Sequence, residues 1–179
     1  MEKVVEIPNG VTVDVAGRTV TVKGPKGSLS RKFSDSLFDW RTTIERADGK
    51  IVVKGDDRRK TKAFVGTIAA HIGNMISGVT HGYKYKLKIF HTHFPMTLEV
   101  KGKEVVVKNF LGERSIRSGN IVGNAKVEIK KDDVTVTGTD KEQVSQTAAN
   151  IEHSCRLSGK DRRVFLDGVY ITGWEKMNE

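Results

Sequence analysis

The chain has 179 residues, 30% of them charged, with 31 Lys+Arg against 22 Asp+Glu and a net charge of +9. That length accommodates two small units of roughly 80–90 residues, each just large enough to hold a core, and the positive charge favours a polyanionic partner. The sequence contains no run of about 18 apolar residues that would read as a membrane span. Its amino terminus lacks a basic-then-apolar leader and its single Cys155 offers no disulfide, so a soluble, cytoplasmic protein is expected.

The first element is an amphipathic hairpin within Val11–Gly27. A two-residue turn at Ala16-Gly17, using the positive φ that glycine permits, sets Val13 opposite Val20 and Val11 opposite Val22. Asp14/Thr19 and Thr12/Thr21 then line the polar face. The following Gly24-Pro25-Lys26-Gly27 is too short for a nucleotide-binding loop and lacks its Lys-Ser/Thr ending. A strand at Lys50–Gly55 leads to Asp56-Asp57, residues suited to capping a helix. The helix carries Phe64, Ile68, Ile72, Met75/Ile76 and Val79 at helical spacing. Arg58, Arg59, Lys60 and Lys62 at its start oppose the helix dipole, which fits either an anionic partner or a solvated helix end. Next, Lys84, Lys86 and Lys88 alternate with Tyr83, Tyr85 and Leu87. This gives a strand one basic face, whose plainest reading is an edge strand kept soluble by charge.

The hairpin then returns. Met96–Gly112 repeats Val11–Gly27 after 85 residues without a gap, with seven of 17 positions identical, among them Gly17/Gly102, Val20/Val105 and Val22/Val107. Leu98/Val105 and Met96/Val107 take the places of the first apolar pairs. Asp133–Gly138 repeats the closing strand, followed by Thr139-Asp140 and a stripe of Val144, Ala148, Ile151 and Cys155 running from Asp140 to Ser158. Two copies of one unit follow: an α+β fold with residues 1–92 and 93–179 as repeats, each an antiparallel sheet with one helix packed on one face. The other face of each sheet is left for solvent or a partner. Residues 1–94 hold 17 Lys+Arg and 9 Asp+Glu, and residues 95–179 hold 14 and 13, so the second half must bind anions through local clusters.

Two such clusters stand out. Lys108, Arg114 and Arg117 leave the second hairpin beside an exposed-looking Phe110. Lys160, Arg162 and Arg163 follow the second helix after Ser158-Gly159. Catalysis finds little footing. His91 and His93 share a strand face without a third metal ligand, and Cys155 sits on an apolar stripe as a core residue. Enzyme chemistry, a metal, a cofactor and a small-molecule substrate are not expected.

The two-copy layout, the Gly24-Pro25-Lys26-Gly27-Ser28-Leu29 turn and the ending Arg163-Val-Phe165-Leu-Asp167-Gly168-Val169-Tyr170-Ile171 resemble the large-subunit ribosomal protein six family. Arg31-Lys32-Phe33 and Phe38-Asp39-Trp40 resemble its archaeal and eukaryotic branch, in which the eukaryotic counterpart is numbered nine. The resemblance covers essentially the whole chain. It implies two similar α+β units bound to large-subunit rRNA near the stalk base and the sarcin-ricin region, among neighbouring ribosomal proteins and close to translation factors. It also implies that the carboxy-terminal unit is the main RNA contact, through Lys108, Phe110, Arg114, Arg117, Lys160, Arg162 and Arg163, with Lys176 in the tail. Asp167, Gly168 and Tyr170 are read as shaping the local turn and strand. A free-standing RNA-binding module of the same fold is the alternative.

Overall fold

A computed structural model of the chain describes residues 1–33, 41–47, 49–92, 94–161 and 163–177. The chain divides into two units, Met1–Gly82 and Tyr83–Glu179.

In the first unit, β1 (Glu2–Glu6), β5 (Thr42–Ala47) and β6 (Lys50–Gly55) form an antiparallel sheet in the order β1-β6-β5. A second sheet, β2-β3-β4, joins β2 (Thr12–Ala16), β3 (Thr19–Gly24) and β4 (Gly27–Lys32). Helix α1 (Arg59–Thr80) packs on β1, β3 and β6. Ile68, Ile72, Met75, Ile76 and Val79 of its stripe are buried with Val13, Val20, Val22, Ile51 and Val53, and Val65 joins them. At 22 residues α1 is long and apolar enough to cross a membrane by composition alone, but that apolarity is a face packed on its own unit's strands. Asp57 does not cap this helix. The N-cap is Arg58, without a side-chain hydrogen bond, while the Asp57 carboxylate lies 3.1 Å from Lys62 Nζ.

The second unit repeats the pattern and adds a strand. β8 (Thr97–Lys101), β9 (Glu104–Lys108) and β10 (Arg117–Asn120) form one sheet. The other has four strands in the order β11-β12-β7-β13, from β7 (Tyr83–Phe90), β11 (Lys126–Lys130), β12 (Asp133–Gly138) and β13 (Gly168–Lys176). Helix α2 (Lys141–Ser154) packs on both sheets, burying Val144, Ala148 and Ile151. It stops short of the expected Ser158, with Cys155 as its buried C-cap, and Asp140 caps its start by accepting from the Glu142 N–H at 3.0 Å. Each unit therefore divides its antiparallel strands between two sheets and carries one helix.

Two sequence readings need correction here. The hairpin turns lie at Gly17-Arg18 and Gly102-Lys103, so Val13 pairs with Val22 and Leu98 with Val107. A turn at Ala16-Gly17 would put a residue with a Cβ first; the observed turns put glycine there, at φ 60° and 61°. The shift moves each pairing by two residues, which preserves the side of the sheet. Val13, Val20 and Val22 therefore share the buried face as expected. The pairings remain equivalent between copies, 85 residues apart.

The second correction concerns Tyr83–Phe90. It is an interior strand, paired with β12 and β13, and not an edge. It stands to β12 as β1 stands to β6, which places it in the second unit and the division at Gly82/Tyr83. Counted at that division, the units hold 14 Lys+Arg with 9 Asp+Glu and 17 with 13. The charge asymmetry between halves nearly disappears.

The glycines that close β6 and β12 share one steric cause. A Cβ on Gly55 would lie 2.7 Å from Thr61, and one on Gly138 2.7 Å from Val144. In both copies the first buried turn of the helix presses onto the strand end.

Candidate nucleic-acid interface

The second unit builds its cationic surface from two loops. The first leaves β9 at Lys108, turns through a single 3₁₀ turn at Phe110–Gly112, and enters β10 at Arg117. Asn109 and Leu111 sit at φ 58° and 50°, a left-handed conformation costly for a side-chain-bearing residue. Phe110 shows what holds them there. It is 1% exposed and belongs to the core with Leu98, Val107 and Ile151. The expectation of an exposed Phe110 fails because the tight turn points the ring inward; Phe110 anchors the loop and cannot stack on RNA.

Arg117 joins this loop to the second one. Its guanidinium lies over the Phe110 ring, 4.4 Å from the centroid, and grips the Glu113 carboxylate at two points, 2.9 and 2.7 Å. Its Nη1 donates to the backbone carbonyls of Ser154 (3.3 Å) and Arg156 (3.1 Å), at the end of α2. Lysine could not reproduce this planar, multi-point fork. The Arg117 hydrogen bond holds the Glu113 carboxyl below its ordinary range, and Lys160 adds to the effect by its charge. Through these Arg117 bonds to the carbonyls of Ser154 and Arg156 the two loops converge.

The second loop runs from Cys155 to Leu166. Gly159 takes φ 71° with open space around it, a bare turn. Lys160 follows, its Nζ 4.7 Å from the Phe165 ring centroid. The Arg163 N–H donates to Asp161 Oδ1 at 2.9 Å, closing a local turn that leaves the Arg163 side chain exposed. Beside it, Glu152, His153, Arg156, Leu157 and Lys160 line a surface depression. Arg156 escaped the sequence reading because it sits beside Cys155 at the helix end, where the apolar stripe dominates the pattern. Its signal was the helix stop at Ser158-Gly159, which turns neighbouring cations outward.

The remaining candidates separate. Arg114 is exposed on the first loop. Lys108 is tied to Glu99 at 2.7 Å, and this hydrogen bond lowers the Glu99 pKa. Lys176 ends β13, roughly 26 Å of strand away from Gly168 and the loops. Arg162 lies outside the described residues, as do His93 and the stretch Phe38-Asp39-Trp40. His91 Nε2 approaches Asp132 at 3.9 Å, and no group of metal-ligating side chains occurs among the described residues. Burial pushes the Cys155 thiol up, away from nucleophilic reactivity.

The signature ending is structural in its visible contacts. Asp167 is buried, and its Oδ1 accepts from the Thr92 N–H at 2.8 Å and from the Thr92 hydroxyl, which joins the start of β13 to the end of β7. Gly168 enters β13 at φ 154°, against the Tyr170 ring.

Comparison with known proteins agrees with this duplicated architecture. The family model described as ribosomal protein L6 matches residues 7–82 and again 94–168. This chain belongs to the ribosomal protein L6 family. It is 51% identical over 170 residues to the large ribosomal subunit protein uL6 of Methanocella arvoryzae, covering 94% of each chain. The uL6 proteins of Methanobrevibacter smithii (48%; 96% of this chain and 94% of the other) and Desulfurococcus amylolyticus (50%; 93% and 91%) are similarly close. The L6 family is one of structural, non-enzymatic ribosomal proteins, and the two matched segments coincide with the two hairpin-and-helix copies.

Proposed function

We propose that this chain is a structural component of the large ribosomal subunit in the cytoplasm. In this reading it binds large-subunit rRNA near the stalk base and the factor-binding sarcin-ricin region, with other ribosomal proteins as neighbours and translation factors nearby. The second unit is the main RNA contact. The observation that carries this reading is the tie that Arg117, seated on Phe110, makes between two loops whose Arg114, Arg156, Lys160 and Arg163 side chains are exposed.

The mechanism is physical. Folded RNA offers phosphates at many angles, and cations on pinned loops reach them without a further entropic cost of ordering the backbone. Arg114, Arg156 and Arg163 suit paired phosphate oxygens or base stacking, and Lys160 supplies a mobile charge. Lys108 and Arg117 act differently from these solvent-facing cations: each is committed to a carboxylate, and Arg117 sets the loop geometry. Arg162, outside the described residues, stays a candidate from the sequence alone. Lys176, at the far end of β13, would need a separate RNA segment.

Reconstitution with large-subunit particles, followed by sedimentation in high salt and sequencing of RNA crosslinked to the chain, tests the proposal. Salt-resistant association with crosslinks in the stalk-base and sarcin-ricin regions is expected. Comparable binding to unrelated RNAs without stable association would favour a free-standing RNA-binding module.

A further inference from the structure

The four-stranded sheet of the second unit is covered by α2 on one face only. On the opposite face β7 presents Lys84, Lys86, Lys88 and Phe90, and β13 presents Tyr170 and Glu175. The lysines recur every second residue, about 6.6–6.8 Å apart along the strand. Glu175 is shared by two of them, 3.4 Å from Lys84 and 2.6 Å from Lys86. Lys88 has no carboxylate partner among the described residues; its Nζ lies 5.9 Å from the Phe90 ring centroid. Phe90 is 43% exposed and meets Tyr170 edge to face at 5.8 Å. A shallow depression lined by Lys86, Lys88, Thr135, Thr172 and Asp133, the residue across from Lys88 on β12, runs beside them.

We infer that this open face is a second RNA-binding surface, distinct from the loop cluster, and that its occupant is an extended, unpaired stretch of RNA. The inference rests on the RNA-binding role proposed above. Charge complementarity selects the polyanion, since across the four strands this face sets Lys84, Lys86, Lys88, Lys126 and Lys130 against the carboxylates of Glu128, Asp133 and Glu175. The aromatic pair selects unpaired nucleotides: an exposed ring stacks a splayed base, which a duplex cannot offer, while the lysine row follows the phosphates. Phe90 in the interior of a protein would be ordinary; on the solvent face, beside a lysine with no carboxylate partner among the described residues, it is a platform.

The test uses the full chain with labelled oligouridine as probe, measuring affinity and mapping ultraviolet crosslinks by mass spectrometry. Crosslinks to Phe90 or Tyr170 are expected, with affinity about tenfold weaker in the Lys88→Gln/Phe90→Ala variant. Both side chains are exposed, and an unchanged melting temperature verifies the fold. Arg114→Ala/Arg163→Ala should retain these crosslinks. The inference is overturned if crosslinks fall only on the loops, if duplex RNA competes as well as unpaired RNA, or if the double variant binds oligouridine like the parent. A variant that keeps oligouridine affinity but loses large-subunit association also overturns it, assigning the face to a protein neighbour. If wild-type chain fails to co-sediment with large subunits, the ribosomal reading fails; if it co-sediments but shows no oligouridine contact on this face, only the present inference fails.

Discussion

Arg117 and Glu113 form a two-point ion pair, Nε to Oε2 at 2.9 Å and Nη2 to Oε1 at 2.7 Å, within a guanidinium that also reaches two carbonyls at the end of α2. The pair lies four residues apart in sequence, yet its consequence is long-range: it binds the loop after β9 to the loop after α2. Replacing Arg117 with Ala leaves the Glu113 carboxylate without its main partner and frees both loops. A loss of about 1–3 kcal/mol is expected by urea unfolding, with Arg117→Lys recovering only part of it.

The same pair sets a pH dependence. The Glu113 carboxyl is held below its ordinary range in the folded chain, so the pair contributes stability above the unfolded-state value and loses it as pH falls through the folded one. The stability difference between the parent and Glu113→Gln should therefore be present at neutral pH and shrink under acid. The effect should be small, because the carboxylate is 36% exposed and solvent screens it. A difference that stays constant from neutral pH to well below the carboxylate range would show that the ion pair is not its source.

Phe110→Ala separates an anchor from a stacking residue. A ring buried among Leu98, Val107 and Ile151 should cost about 3–5 kcal/mol when truncated. A base-stacking ring on the surface would cost affinity for RNA and leave stability nearly unchanged. Chemical denaturation without RNA distinguishes the two.

Ile68 and Ile151 test the duplication energetically. Each is 1% exposed on the inner stripe of its helix, and each substitution by Ala should cost on the order of 2–5 kcal/mol. Values below about half a kcal/mol, typical of surface sites, would show that a stripe faces outward.

The duplication, both helix stripes and the buried side of the hairpins were legible in the sequence because they depend on local periodicity. Val13, Val20 and Val22 lie on the core side whether the turn falls at Ala16-Gly17 or one residue later. Strand partnership was not legible: Lys84–Lys88 reads as an edge until β13, some 80 residues later, pairs with it. The candidate site was legible as clusters of charge but not as roles. Arg117 and Arg114 look alike in sequence, and only the fold shows that one commits its donors to Glu113 and the α2 carbonyls while the other faces solvent. Phe110 misled for a related reason, since a polar, glycine-bearing loop gives no hint that its tight turn drives the ring into the core.

The most direct test is the salt dependence of binding to large-subunit rRNA, compared between the parent chain and Arg114→Ala/Arg163→Ala. Both side chains are exposed on loops held in place by other residues, so the fold should survive. Weaker affinity is expected, together with a slope of log affinity against log salt that flattens by roughly 0.7–0.9 for each phosphate no longer neutralised. An unchanged slope and an unchanged affinity would contradict the claim that these converging loops hold the RNA.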